Sequence, residues 1–388
     1  MAIEGRADKG GRRIRLGMVG GGEGAFIGAV HRIAARLDDR YELVAGALSS
    51  TEEKSKRSGA ALGLDPARCY GSFAEMAKRE ARLKNGIEAV AIVTPNHMHY
   101  PAAKEFLKRG IHVICDKPLA ATMAEAKQFE KLVRGSEAIF CLTHNYTGYP
   151  MVRQARAMVE AGDLGPITLI QVEYPQDWLT EPVERTGAKQ AEWRTDPKRS
   201  GAGALGDIGT HAYNLACFVS GDVAAEIAAD VHTIVEGRQV DDNAHVMMRF
   251  AKGAKGMLWC SQVAPGHENG LRLRIYGTRG GLEWVQADPN YLWFTPLGQE
   301  KRLITRGGAG AGAAAGRVTR VPSGHPEGYL EGFANIYREA ADAILAARDG
   351  AKPDPEVTFP GIEAGMDGMR FIAACLASSK RNGAWVKV

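Results

Sequence analysis

The stretch Arg15-Leu-Gly-Met-Val-Gly-Gly-Gly-Glu-Gly-Ala-Phe-Ile-Gly-Ala-Val-His31 begins apolar, breaks into glycines and resumes with helical spacing. It reads as a strand, a tight turn and a helix. Few other residue orders restrict a fold as strongly. A phosphate needs bare backbone N–H donors and the positive end of a helix dipole, and a glycine-rich turn that opens a helix supplies both. Gly20 suits the turn, Gly22 lets the backbone approach a pyrophosphate, and Ala25 takes the third position of a G-x-G-x-x-G/A pattern, flanked by Gly24 and Phe26. Glycine-rich turns are common, so position carries the weight here. The pattern follows an apolar strand and precedes a long amphipathic helix, as a dinucleotide site requires.

From Arg13 to about Tyr146 the chain alternates strands and helices. The strands are expected at 14–19, 41–47, 88–94, 112–115 and 138–143, with helices near 26–37, 52–62, 72–82, 101–108 and 123–133. Such alternation with short connections predicts a doubly wound parallel sheet of Rossmann type, covered by helices on both faces. After a helix near 151–160 the pattern changes to strands at 167–174, 226–235, 242–250, 255–262, 271–276, 281–285 and 291–294. Short turns join most of them, which predicts an α+β domain built on a large, mainly antiparallel open sheet. The division expected is therefore 13–146 for the dinucleotide-binding domain and 147–388 for a substrate and oligomerisation domain. Residues 306–317, rich in Gly and Ala, read as a mobile loop, followed by helices near 326–347 and 361–379.

The 388 residues are 45% hydrophobic and 24% charged, enough for two cores. The net charge of +4 is spread without a basic block, which argues against a nucleic-acid partner. The six cysteines form no C-x-x-C pair and read as buried free thiols in a reducing compartment. Met1 to Arg12 lacks an apolar h-region and no run approaches eighteen apolar residues, so the expectation is a cytoplasmic protein without a membrane span.

In a parallel sheet the ligand lies outside the carboxyl ends of the strands, so the residues after each strand are informative. Leu48 and Ser49 stand after the second strand, where an NAD site usually places a carboxylate; Lys54, Lys56 and Arg57 follow, and either accommodate a 2′-phosphate or face solvent. The choice between NAD and NADP stays open, with a tilt towards NADP. Thr94-Pro-Asn-His-Met-His99 carries two histidines without an acidic or cysteine partner at ligand spacing, so no metal is expected. Cys115-Asp-Lys-Pro118 places Lys117 just past another strand end, before a rigid proline.

Gly20-Gly-Gly22, Thr94-Pro-Asn96 with His99, Asp116-Lys-Pro118 and Gly206-Asp-Ile-Gly-Thr-His211 occur in an order and spacing that span most of the chain. Together they resemble the glucose-fructose oxidoreductase, inositol dehydrogenase and rhizopine-catabolism (Gfo/Idh/MocA) family. Asp116 stands where that family usually has glutamate, and the acidic residue after the second strand is missing. The resemblance implies a cofactor site at Gly20, Gly22, Gly24, Ala25, Phe26, Ser49, Thr94, Asn96, His99, Asp116 and Lys117. It further implies His211 as acid/base, Asp207 beside it in the substrate pocket, Lys117 as the third catalytic group, and a homodimer or homotetramer covering the second sheet.

Asp207 and His211 are four apart, so on a helix they share a face, and histidine suits proton removal from a hydroxyl near neutral pH. Lys117, Asp207 and His211 are expected to act as one catalytic unit. Tyr146, Trp193, Arg194 and His325 are further candidates for gripping a substrate. The activity expected is NAD(P)-dependent oxidation of a polyol, sugar or inositol-like alcohol. Its rivals are an NAD-dependent, redox-assisted glycoside hydrolase and a non-catalytic dinucleotide-binding sensor.

Overall fold

The computed structural model describes residues 12–388; the polar N-terminal stretch discussed above lies almost wholly outside them. In chain order the first elements are β1 (Ile14–Gly20), α1 (Phe26–Leu37), β2 (Tyr41–Ala47), α2 (Glu52–Ala61), α3 (Phe73–Glu80), β3 (Ala89–Val93), α4 (His99–Leu107), β4 (His112–Cys115), α5 (Met123–Arg134) and β5 (Phe140–Leu142). The chain continues through α6 (Pro150–Glu160), β6 (Ile167–Pro175), α7 (Lys189–Arg194), α8 (Pro197–Ser200) and α9 (Thr210–Ser220). Strands β7 (Ala224–His232), β8 (Asn243–Phe250), β9 (Lys255–Ser261), β10 (Arg272–Gly277), β11 (Gly280–Val285), β12 (Tyr291–Pro296) and β13 (Arg302–Thr305) follow, then α10 (Ala313–Arg317), α11 (Tyr329–Arg348), α12 (Ile362–Ser379) and β14 (Val386–Lys387).

The first sheet is parallel with order β2-β1-β3-β4-β5. Ala89-Val-Ala-Ile-Val93 is buried along its whole length, as a central strand covered on both faces must be. Strand order reverses at β1, and Gly20 at its end stands opposite Val93 at the end of β3. Ligands of such sheets bind at that reversal.

The chain divides into two compact units, one formed by the chain through Gly148 together with Tyr329–Met366, the other by Tyr149–Gly328 with Asp367–Val388. This corrects the expected division at 146/147: residues 329–366 belong with the first sheet. The cause is the apolar face of α11. Phe333, Ile336, Tyr337, Ala340 and Ile344 share one core with Val30 and Ala34 of α1 and with β1. Each large side chain buried this way contributes roughly 1.5–3 kcal/mol. The Pro360 carbonyl also accepts from the Leu142 N–H (2.8 Å), stitching the returning segment to β5.

In the second unit nine strands run in the order β13-β12-β11-β10-β6-β9-β8-β7-β14. All neighbours are antiparallel except β6 and β9, which pair in parallel. In β8, Ala244, Val246, Met248 and Phe250 point inward while His245 and Met247 are exposed. Register places Met247, Met257, Gln171, Arg274, Glu283, Trp293 and Leu303 in one row across the outer face. Four of the seven are large exposed apolar residues.

The stretch expected as a mobile loop at 306–317 is anchored instead. The buried Arg306 guanidinium donates to the Val321 (2.7 Å), Pro322 (3.1 Å) and His325 carbonyls and pairs with buried Glu327 at 3.2 Å. Gly312 N–H donates to Gln154 Oε1 (2.6 Å) at the foot of α10. The six cysteines are all free.

Candidate active site

In the first unit, Gly20, Gly21 and Gly24 adopt the positive φ that favours glycine. A Cβ on Gly22 would lie 2.6 Å from the Leu48 carbonyl and 2.7 Å from Ser58 Oγ, so the backbone there forms a cradle that only glycine leaves open. Gly22 N–H donates to Leu48 O (3.1 Å) and Glu23 N–H to Ser58 Oγ (3.1 Å), tying the loop to the end of β2 and to α2. Ala25 is the N-cap of α1 and offers no side-chain cap, and no acid occupies the first turn. That helix start therefore carries no side-chain cap and no acid, with exposed Phe26 beside it, an arrangement fit for a pyrophosphate.

The third glycine role falls to Gly28, not Ala25. A Cβ at Gly28 would be 2.3 Å from Gly21 O, the close helix–strand approach that the pattern requires. The turn is three residues longer than the short pattern, which moves the helix start past Ala25. Gly28 was visible in the sequence at the correct helical distance.

At the end of β2, Leu48 is buried with its N–H bonded to Ser55 Oγ (2.8 Å), and Ser49 is half-buried. Lys56 pairs with Glu52, and Arg57 with Glu23 (3.1 Å) and Glu53 (3.3 Å). Two of the three cations are therefore engaged by surface carboxylates.

Thr94 and Asn96 follow β3, and Asn96 is buried. His99, fully buried at the start of α4, faces the Pro118 carbonyl with Nδ1 (2.7 Å) and the Thr94 carbonyl with Nε2 (2.9 Å). Burial lowers its pKa, against the pull of Asp116 and of these two carbonyls, and the ring sits between the loops after β3 and β4. No group of three or more His, Cys, Asp or Glu residues able to hold a metal occurs among the described residues.

After β4, Asp116 Oδ1 accepts from the Lys117 N–H (3.0 Å) and from the Thr143 hydroxyl (3.0 Å), with His31 Nε2 at 3.8 Å. Burial opposes ionisation, but His31, Lys117 and His99 outweigh it and hold the carboxyl well below the usual carboxylate range. Lys117 itself is half-buried, and Tyr146 is buried in the short turn Asn145–Gly148 that follows β5.

In the second unit Asp207 lies in a π-helical turn, Leu205–Gly209, that runs directly into α9. The expected ordinary helix is thus widened there, a form of turn frequent at functional sites. The buried Asp241 carboxylate accepts from Gly203 N–H and Leu205 N–H, both at 2.7 Å, and a Cβ on Gly203 would lie 1.8 Å from the Asp241 carbonyl oxygen. Burial raises the Asp241 pKa, against the pull of these backbone donors. Asp207 Oδ2 accepts from Gln262 Nε2 (2.9 Å) and lies 3.4 Å from Arg194 Nε. Arg194 in turn stacks over the Trp193 ring at 4.4 Å. His211 is buried in the first turn of α9, its ring 6.4 Å from that of Tyr174.

The model for the oxidoreductase family with an NAD-binding Rossmann fold matches residues 14–146, and that for the GFO/IDH/MocA C-terminal domain matches 152–283. The chain belongs to the Gfo/Idh/MocA oxidoreductases. The crystal structure of an oxidoreductase from Sinorhizobium meliloti is 67% identical, with TM-score 0.90, covering 97% of this chain and 100% of that one. An inositol dehydrogenase homolog from Azotobacter vinelandii, complexed with NADH and myo-inositol, is 34% identical with TM-score 0.91, over 97% and 98% of the two chains. The uncharacterized oxidoreductase YfiI of Bacillus subtilis is 35% identical over 96% of each.

Membership makes the chain an oxidoreductase of a dinucleotide-binding family, and the cradle at Gly20–Gly22 fits such a cofactor. Trp193, Arg194 and Asp207 come together, as described. His325 does not join them: it lines a cavity of about 760 Å³ with Asp288, Asn290, Tyr291, Arg306 and Glu327, without Asp207 or His211. The Arg306 guanidinium bonds its carbonyl and so draws the residue to that wall. Sequence reasoning missed Gln262, a single polar residue after a strand with no periodic signal, and Asp241, whose capping role depends on a contact 36 residues away. No helix among the described residues is long and apolar enough to cross a membrane.

Proposed function

We propose that this oxidoreductase transfers hydride between a nicotinamide dinucleotide and a secondary alcohol or ketone of a polyol, sugar or inositol-like substrate. The observation that carries the reading is the orientation of Asp207 by Gln262 and Arg194 on the wide turn that also leads to His211. The bound nicotinamide supplies the hydride acceptor. His211 takes the hydroxyl proton, Asp207 orients it and the substrate, and the Lys117 ammonium stabilises the developing alkoxide. The likeness to a homolog complexed with NADH and myo-inositol supports the substrate class. Both dinucleotides are accepted, since Ser49 puts no carboxylate at the end of β2 to repel a 2′-phosphate.

A panel of polyols, inositols and sugar acids, offered with NAD⁺ and NADP⁺, tests this by the absorbance of the reduced cofactor. On the best substrate, His211→Ala lowers kcat by about 10²- to 10⁴-fold and leaves cofactor affinity unchanged. Near wild-type turnover in that variant overturns the assignment. Release of a sugar without net reduced cofactor selects the glycoside-hydrolase reading instead. Calorimetry with both cofactors tests the dual use, which a preference of more than about tenfold, or 1.4 kcal/mol, rejects.

A further inference from the structure

One buried polar group of the first unit has no part in this mechanism. His31 lies on the inner face of α1 with none of its surface accessible. Its Nδ1 is 2.8 Å from the Tyr337 hydroxyl on α11, and its Nε2 is 3.8 Å from Asp116 Oδ1, beyond hydrogen-bond length yet within reach of the charge. A neutral imidazole has one N–H. If Nε2 were bare, its lone pair would face a carboxylate and be repelled, so the proton belongs on Nε2. Nδ1 then accepts from the Tyr337 hydroxyl. Burial raises the Tyr337 pKa well above the ordinary value, so that hydroxyl keeps the proton it donates. The chain of contacts from Tyr337 through His31 to Asp116 therefore has a fixed direction.

Packing fixes the ring as well. Phe333 lies 5.1 Å from the His31 ring centre and Tyr337 5.7 Å, the latter edge-on. Asp116 Oδ1, the atom that His31 faces, is also the acceptor for the backbone N–H of Lys117. Turning the carboxylate would turn the peptide from which the lysine side chain departs.

We propose that His31 and Tyr337 are positioning residues for the reaction: acting through Asp116, they fix the backbone of Lys117 and hence the place of its ammonium group. This rests on the reading of Lys117 as a catalytic residue. A displacement of about 1 Å in such a group costs up to roughly 10²-fold in rate.

The test uses the full-length protein with the alcohol that turns over fastest in the panel above, and the variants His31→Phe, His31→Gln, Tyr337→Phe, Lys117→Ala and the double variant Lys117→Ala with His31→Phe. His31→Phe and Tyr337→Phe should lower kcat by about ten- to a hundredfold while KM and NADH affinity stay within about threefold. His31→Gln keeps a donor for Asp116 and an acceptor for Tyr337, and should restore most of the rate. In the Lys117→Ala background, His31→Phe should cost nothing further, whereas a purely structural defect adds its loss to that of the lysine. Nitrogen-15 NMR of histidine-labelled protein reads the tautomer without any substrate; a proton on Nε2 of His31 is expected, and one on Nδ1 overturns the proposal. Tyr337→Phe removes a single oxygen and keeps the test open if the His31 variants misfold. If Lys117→Ala retains wild-type kcat, the reading of the site fails. If it loses activity while His31→Phe and Tyr337→Phe keep theirs, the positioning role alone fails.

Discussion

His144 shows how one buried side chain makes the stability of this protein depend on pH. It follows β5 and is buried beside Lys117 and Asp116. Burial, and then the lysine charge, push its pKa down to about 3, with Asp116 opposing. In the unfolded chain the same imidazole titrates near 6.5. Between these values the unfolded state binds the extra proton, so stability rises with pH and is lost as pH falls below about 6.5, at no more than about 1.4 kcal/mol per pH unit. The lowered pKa of His99 acts in the same direction. Urea unfolding at pH 7 and pH 5 should show a lower midpoint at pH 5, and His144→Gln should reduce the difference. Equal differences in the two proteins would rule out this role for His144.

The glycine turn before α1 behaves as a unit whose residues differ sharply in what they tolerate. An added methyl at Gly22 meets the Leu48 carbonyl, while at Gly24 it meets open space and only the positive φ resists it. Gly22→Ala should therefore weaken NADH binding by tenfold or more, about 1.4 kcal/mol, whereas Gly24→Ala should cost roughly 1–2 kcal/mol of stability with NADH affinity kept. Titration of both variants by nicotinamide fluorescence checks the contrast, and equal NADH affinities would contradict it. The turn was legible in the sequence because strand, glycines and helix are contiguous, and β1 to β5 were legible because apolar runs separated by helical periods leave little choice. What α11 packs on was not legible: an amphipathic helix announces that one face is buried without naming the partner. The π turn was hidden for a related reason, since Asp207 and His211 at a spacing of four suit an ordinary helix, and the Asp241 carboxylate that accepts from the Leu205 N–H of the turn is remote in sequence. The place of His325 was not legible either, because a histidine near a glycine-rich stretch carries no sign of the Arg306 guanidinium that binds its carbonyl.

At the scale of the whole molecule, the outer row of the nine-stranded sheet bears Met247, Met257, Trp293 and Leu303 exposed, with Leu169 and Tyr276 paired on a neighbouring row. An apolar face of this extent suits a second copy of the chain, and closed symmetry would bury the same row from both sides. Sedimentation velocity should find a homodimer or homotetramer, and Met257→Glu, in the apolar pair with Met247 at one end of the row, should shift it towards monomer. A monomeric wild-type protein would refute the assignment. The return of α11 to the first unit has a different kind of consequence, for anyone who recombines this chain with its relatives. The backbone passes between the two units three times, at 148/149, 328/329 and 366/367. A crossover at residue 148 alone would part β1 and α1 from Phe333, Ile336 and Tyr337, leaving an uncovered helix face on one parent and an ill-matched helix from the other. Productive exchange of substrate preference therefore needs three exchange points, near 148, 328 and 366, so that residues 329–366 travel with the dinucleotide unit as a single inheritable block and residues 367–388 stay with the second unit.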